Sequence, residues 1–143
     1  MKASYSNFVH SKFFNPAFNS AIFDGPVRIY FAQFHEALAL KIYFLLQKKY
    51  AAEMATAKEL SRHDDRVIMV MLYPSIESFQ MSFDADPPGF LHHDFFEDHP
   101  LIATKGPCND ENLPIVANEI SRILKTWADS LPIESHLPDL EWN

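Results

Sequence analysis

The sequence predicts an α+β domain in which a mixed sheet of three to four strands is covered by two helices. Three observations predict it. A long segment after Phe34 contains neither glycine nor proline and is rich in residues that favour helices. Two apolar runs rich in β-branched and aromatic residues, 27–32 and 66–73, flank that segment and are typical of strands. From Val116 to Leu131, apolar residues recur at spacings of three and four, as in an amphipathic helix.

Length and composition predict a single domain spanning 1–143. The chain has 143 residues, of which 48% are hydrophobic and 22% are charged, close to the averages of globular proteins. No internal repeat divides the chain. The 3 glycines do not form a phosphate-binding motif, because such motifs need glycines close together where the backbone approaches the ligand.

The net charge and the cysteine content indicate which classes of binding partner and which cellular compartment to expect. The net charge of −7 opposes binding to nucleic acids and to anionic membranes, which both attract clustered cations. No apolar run is long enough for a membrane-spanning helix, and the first 16 residues lack the continuous apolar core of a secretory signal. Cys108 is the single cysteine, so an internal disulfide is excluded. We therefore expect a cytoplasmic protein.

Residues 1–25 form an aromatic N-terminal arm that we expect to be irregular. Its five phenylalanines show no sustained period of a helix or a strand. Aromatic rings bury a large apolar area, so we expect the arm to lie over the core or over a partner. A turn at Asp24-Gly25-Pro26 then leads into the first strand, 27–32.

The segment 34–61 predicts one long helix with two different halves. The part from Ala37 to Leu46 is apolar nearly all round, whereas the part from Lys48 to Arg62 keeps only a few large apolar residues among several charges. A straight helix of this length would be about 40 Å long, while an eight-residue strand spans only about 26 Å. We therefore expect the far end of the helix to need a second surface, such as another chain.

The rest of the chain predicts a strand pair, an acidic loop and a final helix. The run 66–73 is continuously apolar after Arg66 and belongs in the sheet centre. Alternating residues at 76–83 predict an antiparallel partner strand. Residues 84–112, rich in proline and aspartate, carry most of the net charge and predict an irregular acidic loop. The predicted order β-α-β-β-α, with a possible edge strand near Ile133, resembles an incomplete split-βαβ arrangement.

One segment of the acidic loop has the residue types of a metal site. Neutral imidazoles and carboxylates together suit zinc, iron or manganese. The candidate ligands are His92, His93, Asp94, Glu97 and His99, with His35, Glu36, His63 and Asp64 as further ligands by residue type alone. The alternative is a solvated acidic loop whose phenylalanines pack on the core.

The sequence favours a non-catalytic protein-interaction or regulatory domain, either a self-associating adaptor or a small acidic chaperone-like protein. The reasons are surplus aromatic residues, a helix longer than its sheet and a sheet edge in need of protection. We expect a homodimer without cofactors, with a protein partner and no nucleic acid or membrane. The alternative is a metal-dependent enzyme or metal sensor with a divalent transition metal in the 92–99 segment. Candidate interaction residues are Phe8, Phe13, Phe14, Phe18, Tyr50, Met54 and Trp142.

Overall fold

The computed structural model describes residues 11–14, 18–62, 66–83 and 89–129. Within them the chain forms five strands and four α-helices. The strands are β1 (Ser20–Asp24), β2 (Val27–Phe31), β3 (Ile68–Met71), β4 (Leu91–Phe96) and β5 (His99–Thr104). The helices are α1 (Glu36–Lys49), α2 (Ala51–Ser61), α3 (Ile76–Ser82) and α4 (Leu113–Asp129), and a short 3-10 turn, Gln33–His35, precedes α1.

The strands form one mixed sheet with the order β1-β2-β3-β5-β4. The three central strands are parallel, and each outer strand is antiparallel to its neighbour. The α+β class and the mixed sheet are thus confirmed, as are the parallel pairing of β2 with β3 and the helix α4. The split arrangement is wrong, because β2 and β3 are direct neighbours with no strand between them.

The two faces of the sheet carry two separate cores. One, the helical face, receives Val27, Ile29 and Ile102 from the strands, and α1, α2 and α4 pack over it. The other, the aromatic face, carries Tyr30 and Tyr73 and is covered by α3 and by described residues of the N-terminal arm. Because neighbouring side chains of a strand point to opposite faces, each central strand contributes to both cores.

The N-terminal arm is partly regular, so the expectation of an irregular arm is wrong at β1. This strand pairs with β2 from Ser20↔Phe31 to Asp24↔Val27. Gly25 has a φ of 60°, and Pro26 cannot adopt a positive φ, which is the pattern of a type II′ hairpin turn. With only five residues and one glycine in its turn, β1 is too short for its alternation to stand out in the sequence.

The predicted long helix is wrong in one respect, because it is divided at Tyr50. Tyr50 has φ −123° and ψ 37°, outside the helical region, and its hydroxyl donates to Asn118 Oδ1 at 2.9 Å. Asp24, beside the β1–β2 turn, contacts both helices: Gln47 of α1 at 2.6 Å and Lys58 of α2 at 3.2 Å. The second helix therefore lies on the protein and not beyond it, and the expected overhang is absent from the described residues.

The segment 76–83 is helical, so the predicted second strand is wrong. Ser75 caps the helix α3: its Oγ accepts from the backbone N–H of Ser78 at 3.0 Å, and Ser78 Oγ accepts from that of Ser75 at 3.1 Å. Phe79 and Phe83 stack with their ring centroids 4.8 Å apart, while Met81 is exposed. The spacing of four residues packs two rings on one side of a helical turn.

The acidic loop is also more regular than expected. It contains the hairpin of β4 and β5, joined at Glu97 and Asp98, whose φ values are 51° and 71°. Positive φ at both central residues is the pattern of a type I′ turn, which usually contains asparagine and glycine. Because the turn contains neither asparagine nor glycine, the sequence gives no clear sign of a hairpin at this position. The described residues thus form five strands and four α-helices, where three to four strands and two helices were predicted.

Two further predictions concern a C-terminal edge strand and membrane-spanning helices. The possible edge strand near Ile133 lies outside the described residues. Within the described part of the chain, no helix has both the length and the apolarity needed to cross a membrane.

Candidate functional site

The outer side of α1 exposes large apolar side chains. Leu40 and Phe44 stand one helical turn apart, so they share one side of the helix, and they are 37% and 59% exposed. Phe34, in the 3-10 turn before α1, is 77% exposed. These residues leave apolar surface in water on a helix whose opposite side, at Ala39, Ile42 and Leu46, is buried. We call Phe34, Leu40 and Phe44 the apolar ridge.

A cavity of about 300 Å³ lies beside the ridge, between α1 and the start of α4. We call it the α1–α4 cavity. It is lined by Lys41, Phe44, Leu45, Lys48 and Leu113. Three of these side chains are apolar and two are lysines, which contribute mainly their aliphatic stems to an almost wholly apolar lining. Its volume is at the lower end of the range for ligand pockets, which suits one or two large side chains.

The two helices that flank the cavity run parallel. Lys41 Nζ lies 3.0 Å from Asp110 Oδ1, just before α4, and Tyr50 contacts Asn118 farther along both helices. Both helices follow parallel strands of the same sheet, which places their first turns at the same edge. The cavity therefore lies towards the beginning of α4, well away from its end at Asp129.

The electrostatics of the cavity differ from those of the chain as a whole. The chain has a net charge of −7, yet two lysines line this cavity. Lys41 forms an exposed ion pair with Asp110. The side chain of Lys41 is 54% accessible and that of Asp110 is 72% accessible. Exposed pairs of this kind are weak and exchange readily with other partners.

Sequence reasoning missed this site, although a signal exists. The stretch 37–46 is apolar nearly all round, whereas a surface helix needs only one apolar side for the core. Once α1 lies on the sheet, the apolar residues of its other side must be exposed or covered by a partner. We instead expected the far end of the predicted helix to need a second surface. At that end, however, Met54 and Ala57 are buried within this chain.

The candidate metal ligands on β4 point to opposite faces of the sheet. His92 lies on the aromatic face, with its ring centroid 4.6 Å from that of Phe83. His93 lies on the helical face, where its Nε2 is 2.8 Å from Glu119 Oε2. Asp94 follows His92 on the aromatic face, and its Oδ2 is 3.8 Å from His92 Nε2. One ion cannot be shared by both histidines in this strand.

The other two candidate ligands are also dispersed. Glu97 is exposed in the β4–β5 turn, and His99 is buried on β5 opposite Phe96. Phe96 is four residues from His92 along β4, so the pair of Phe96 and His99 lies about 13 Å along the sheet from His92. Within the described parts of the chain, no three His, Cys, Asp or Glu side chains are grouped to hold a metal ion. Of the further ligands, His63 and Asp64 lie outside these parts.

The predicted interaction residues are mostly internal. Phe13, Phe18 and Met54 are buried in the two cores, and Phe14 and Tyr50 are half-buried against them. The described residues of the arm thus lie over the core of their own chain, one of the two positions we expected for the arm. The described members of the set therefore present little surface to a partner. Phe8 and Trp142 lie outside the described residues.

Cys108 is a buried thiol next to α4. Burial, with a smaller contribution from the carboxylate of Asp110, raises its pKa to about 11. The thiolate needed for nucleophilic or redox chemistry is therefore scarce at neutral pH. Cys108 also packs in the core of the helical face, which accounts for it structurally.

The geometry gives the candidate site an apolar ridge, a cavity and two lysines, without a nucleophile and base in contact. Comparison with known proteins adds no family to this description: no family model, curated protein or solved structure matches the chain.

Proposed function

We propose that the chain is a non-catalytic protein-interaction domain that self-associates through the outer side of α1. The observation that carries the proposal is the exposure of Leu40 and Phe44 on one side of α1, with Phe34 exposed just before the helix and Phe44 also lining the α1–α4 cavity. Contiguous exposed apolar surface on a soluble domain commonly marks an interface. Aromatic side chains, phenylalanine included, are enriched at the centres of protein interfaces.

The charges around the ridge favour a second copy as the partner. Lys41 and Lys48 both line the α1–α4 cavity, and Lys41 pairs with Asp110, so one surface carries both signs. A twofold interface places the same patch of both copies in contact, which requires a patch that complements itself. Lysines of one copy can then pair with carboxylates of the other while the two ridges pack together.

The proposed role is that of an adaptor or a small acidic chaperone-like protein in the cytoplasm. The net charge of −7 favours proteins over nucleic acids or anionic membranes as partners. The dispersal of His92, His93 and His99 leaves the metal-dependent alternative without a group of converging ligands among the described residues.

Mass measurement across concentration tests the proposal. Size-exclusion chromatography with light scattering should give about twice the 16.5 kDa of one chain at micromolar concentration. Phe44→Ser removes an exposed ring without touching the core and should weaken the dimer by at least about tenfold. Phe95→Ser is the matched control, because Phe95 is also exposed but lies on β4.

Two results would contradict the proposal. The first is a mass of 16.5 kDa at every concentration up to about 100 μM, well above the dissociation constants of ordinary specific interfaces. The second is a dimer that Phe95→Ser weakens and Phe44→Ser leaves intact, which would place the interface on the sheet edge at β4.

A further inference from the structure

We propose that two copies of the chain pack α1 against α1 in the parallel orientation, with Glu36 of each copy paired to Lys41 of the other. This inference rests on the proposed self-association and adds the orientation of the two copies and the ion pairs that select it. The twofold axis then runs along the two helices and not across them.

The exposed residues of α1 have the spacing of helices that pack side by side. Ala37, Leu40 and Phe44 are all exposed and follow one another at spacings of three and four. This spacing matches the a and d positions of a two-stranded coiled coil. The opposite side of the helix is buried in the core of the helical face. We call these three exposed residues the α1 seam, which can pack against the same seam of a second copy.

Charged residues of opposite sign flank the α1 seam. On the side towards α4, Lys41 Nζ lies 3.0 Å from Asp110 Oδ1. On the other side, Glu36 is exposed and precedes Gln47 by three helical turns, so the two share one side of the helix. Gln47 contacts Asp24 next to the β1–β2 turn, which fixes that side as the one towards β1. Glu36 and Lys41 thus occupy the g and e positions that border the seam.

These positions favour the parallel orientation. In a parallel pair, a g residue of one helix meets the e residue that is five positions farther along the other helix. Lys41 is five positions beyond Glu36, so the symmetric pair contains two contacts between opposite charges. Tyr43 and Lys48 have the same separation, which brings a cation close to an aromatic ring.

An antiparallel pair lacks these contacts. If it is centred between Leu40 and Phe44, e positions meet e positions, so Lys41 meets Lys41 of the other copy. Glu36 then lies on the opposite side of the interface from both lysines. The pair between Lys41 and Asp110 within one copy is exposed, so sharing Lys41 with Glu36 of the second copy costs little.

Charge reversal in the full chain tests the orientation. Glu36→Lys and Lys41→Glu, each alone, should weaken the dimer at least about tenfold, because both contacts then join like charges. The two changes combined in one chain restore both contacts and should return the dissociation constant to within about threefold of that of the unchanged chain. Lys125→Glu, an exposed change near the end of α4, is the control and should dimerise normally. Light scattering across concentration measures the constants, and thermal melts check that each variant folds.

A cysteine in the α1 seam reports the orientation directly. In the parallel pair Ala37 faces Ala37 of the other copy, whereas in the antiparallel pair the two lie about 15 Å apart along the helix axes. A disulfide needs Cα atoms within about 7 Å, so Ala37→Cys should cross-link the dimer under mild oxidation, as seen on non-reducing gels. Lys125→Cys is the exposed control and should not cross-link. Cys108 is buried with a pKa of about 11 and does not compete.

The remaining outcomes separate this inference from the proposed function. If Phe44→Ser abolishes the dimer but the single charge reversals do not weaken it, α1 is the interface and the parallel pairing is wrong. A combined variant as weak as the single ones, or a dimer that Ala37→Cys does not cross-link, also overturns the pairing. Asp110→Asn should leave the dimer intact, while Glu36→Gln weakens it. The reverse would make Asp110 the partner of Lys41 across the interface. If the unchanged chain is monomeric, self-association and parallel pairing both fail.

Discussion

His93 of β4 and Glu119 of α4 connect an outer strand of the sheet to the helical layer, with 2.8 Å between Nε2 and Oε2. Arg122 Nε donates to the same carboxylate oxygen at 2.8 Å. The hydrogen bond from Arg122, followed by that from His93, holds the pKa of Glu119 below its ordinary value. The charged form of Glu119 is thus stabilised by folding.

Glu119→Gln should lower stability in a pH-dependent manner. Because the folded-state pKa is lowered, the contribution of Glu119 is complete above the ordinary pKa of 4.5 and is lost as pH falls through the folded-state value. At pH 7 we expect a loss of about 1 kcal/mol in the free energy of unfolding. Urea unfolding at pH 7, 5, 4 and 3 should show the difference from the unchanged chain disappearing in acid.

Glu59→Gln is the control for this experiment. Glu59 pairs with Arg62 at 3.4 Å, but both side chains are exposed and lie three residues apart at the end of α2. Such pairs contribute little, so the change should be close to zero at every pH. An equal loss in the free energy of unfolding for Glu119→Gln and Glu59→Gln would mean that the contact between β4 and α4 adds nothing to stability.

Zinc, manganese and ferrous iron should leave the melting temperature unchanged. A metal that binds the native state raises this temperature, but only if several ligands converge on the ion. His92 and His93 are on opposite faces of β4, and His99 is buried farther along the sheet. Thermal melts with each metal at tenfold excess over protein, with chelator as the reference, measure the effect. A clear rise would require a different arrangement of this hairpin.

The thiol of Cys108 should react slowly with a disulfide reagent. Its pKa of about 11 leaves about one thiolate in a thousand at pH 8, against roughly a quarter for an unperturbed cysteine. The rate in the native protein should therefore be at least about 100-fold below that in 6 M guanidinium chloride, as followed by absorbance of the released thiol. Equal rates would indicate that Cys108 is accessible and ionised in the folded protein.

The central strands and α4 could be predicted because burial gives their sequences a clear period. Ile68–Met71 is buried on both faces, and the buried residues of α4 recur every three or four positions. The helix α3 could not be separated from a strand by its apolar pattern, since Phe79, Met81 and Phe83 also alternate. Ser75 and Ser78 held the local signal, because a serine cap marks where a helix begins.

The outer parts of the fold and the site were harder to predict because tertiary contacts decide them. Tyr50 ends α1 without a proline or glycine, and its contact with Asn118 lies far away in sequence. The ridge depends on which side of 37–46 meets the sheet, and the apolar composition of that stretch does not reveal the side. The candidate metal site failed for a simpler reason: residues that neighbour each other on a strand point in opposite directions.

Asp98→Gly should stabilise the protein by up to about 1 kcal/mol. Asp98 has a φ of 71°, where a side chain is strained and glycine is not, although glycine also loses more backbone entropy on folding. Glu111→Gly is the control: Glu111 is exposed and has no positive φ, so its replacement should be neutral or destabilising. Urea unfolding of both variants compares the two effects. A loss of stability for Asp98→Gly would contradict this prediction. It would mean that the contacts of the Asp98 side chain stabilise the hairpin by more than the positive φ destabilises it.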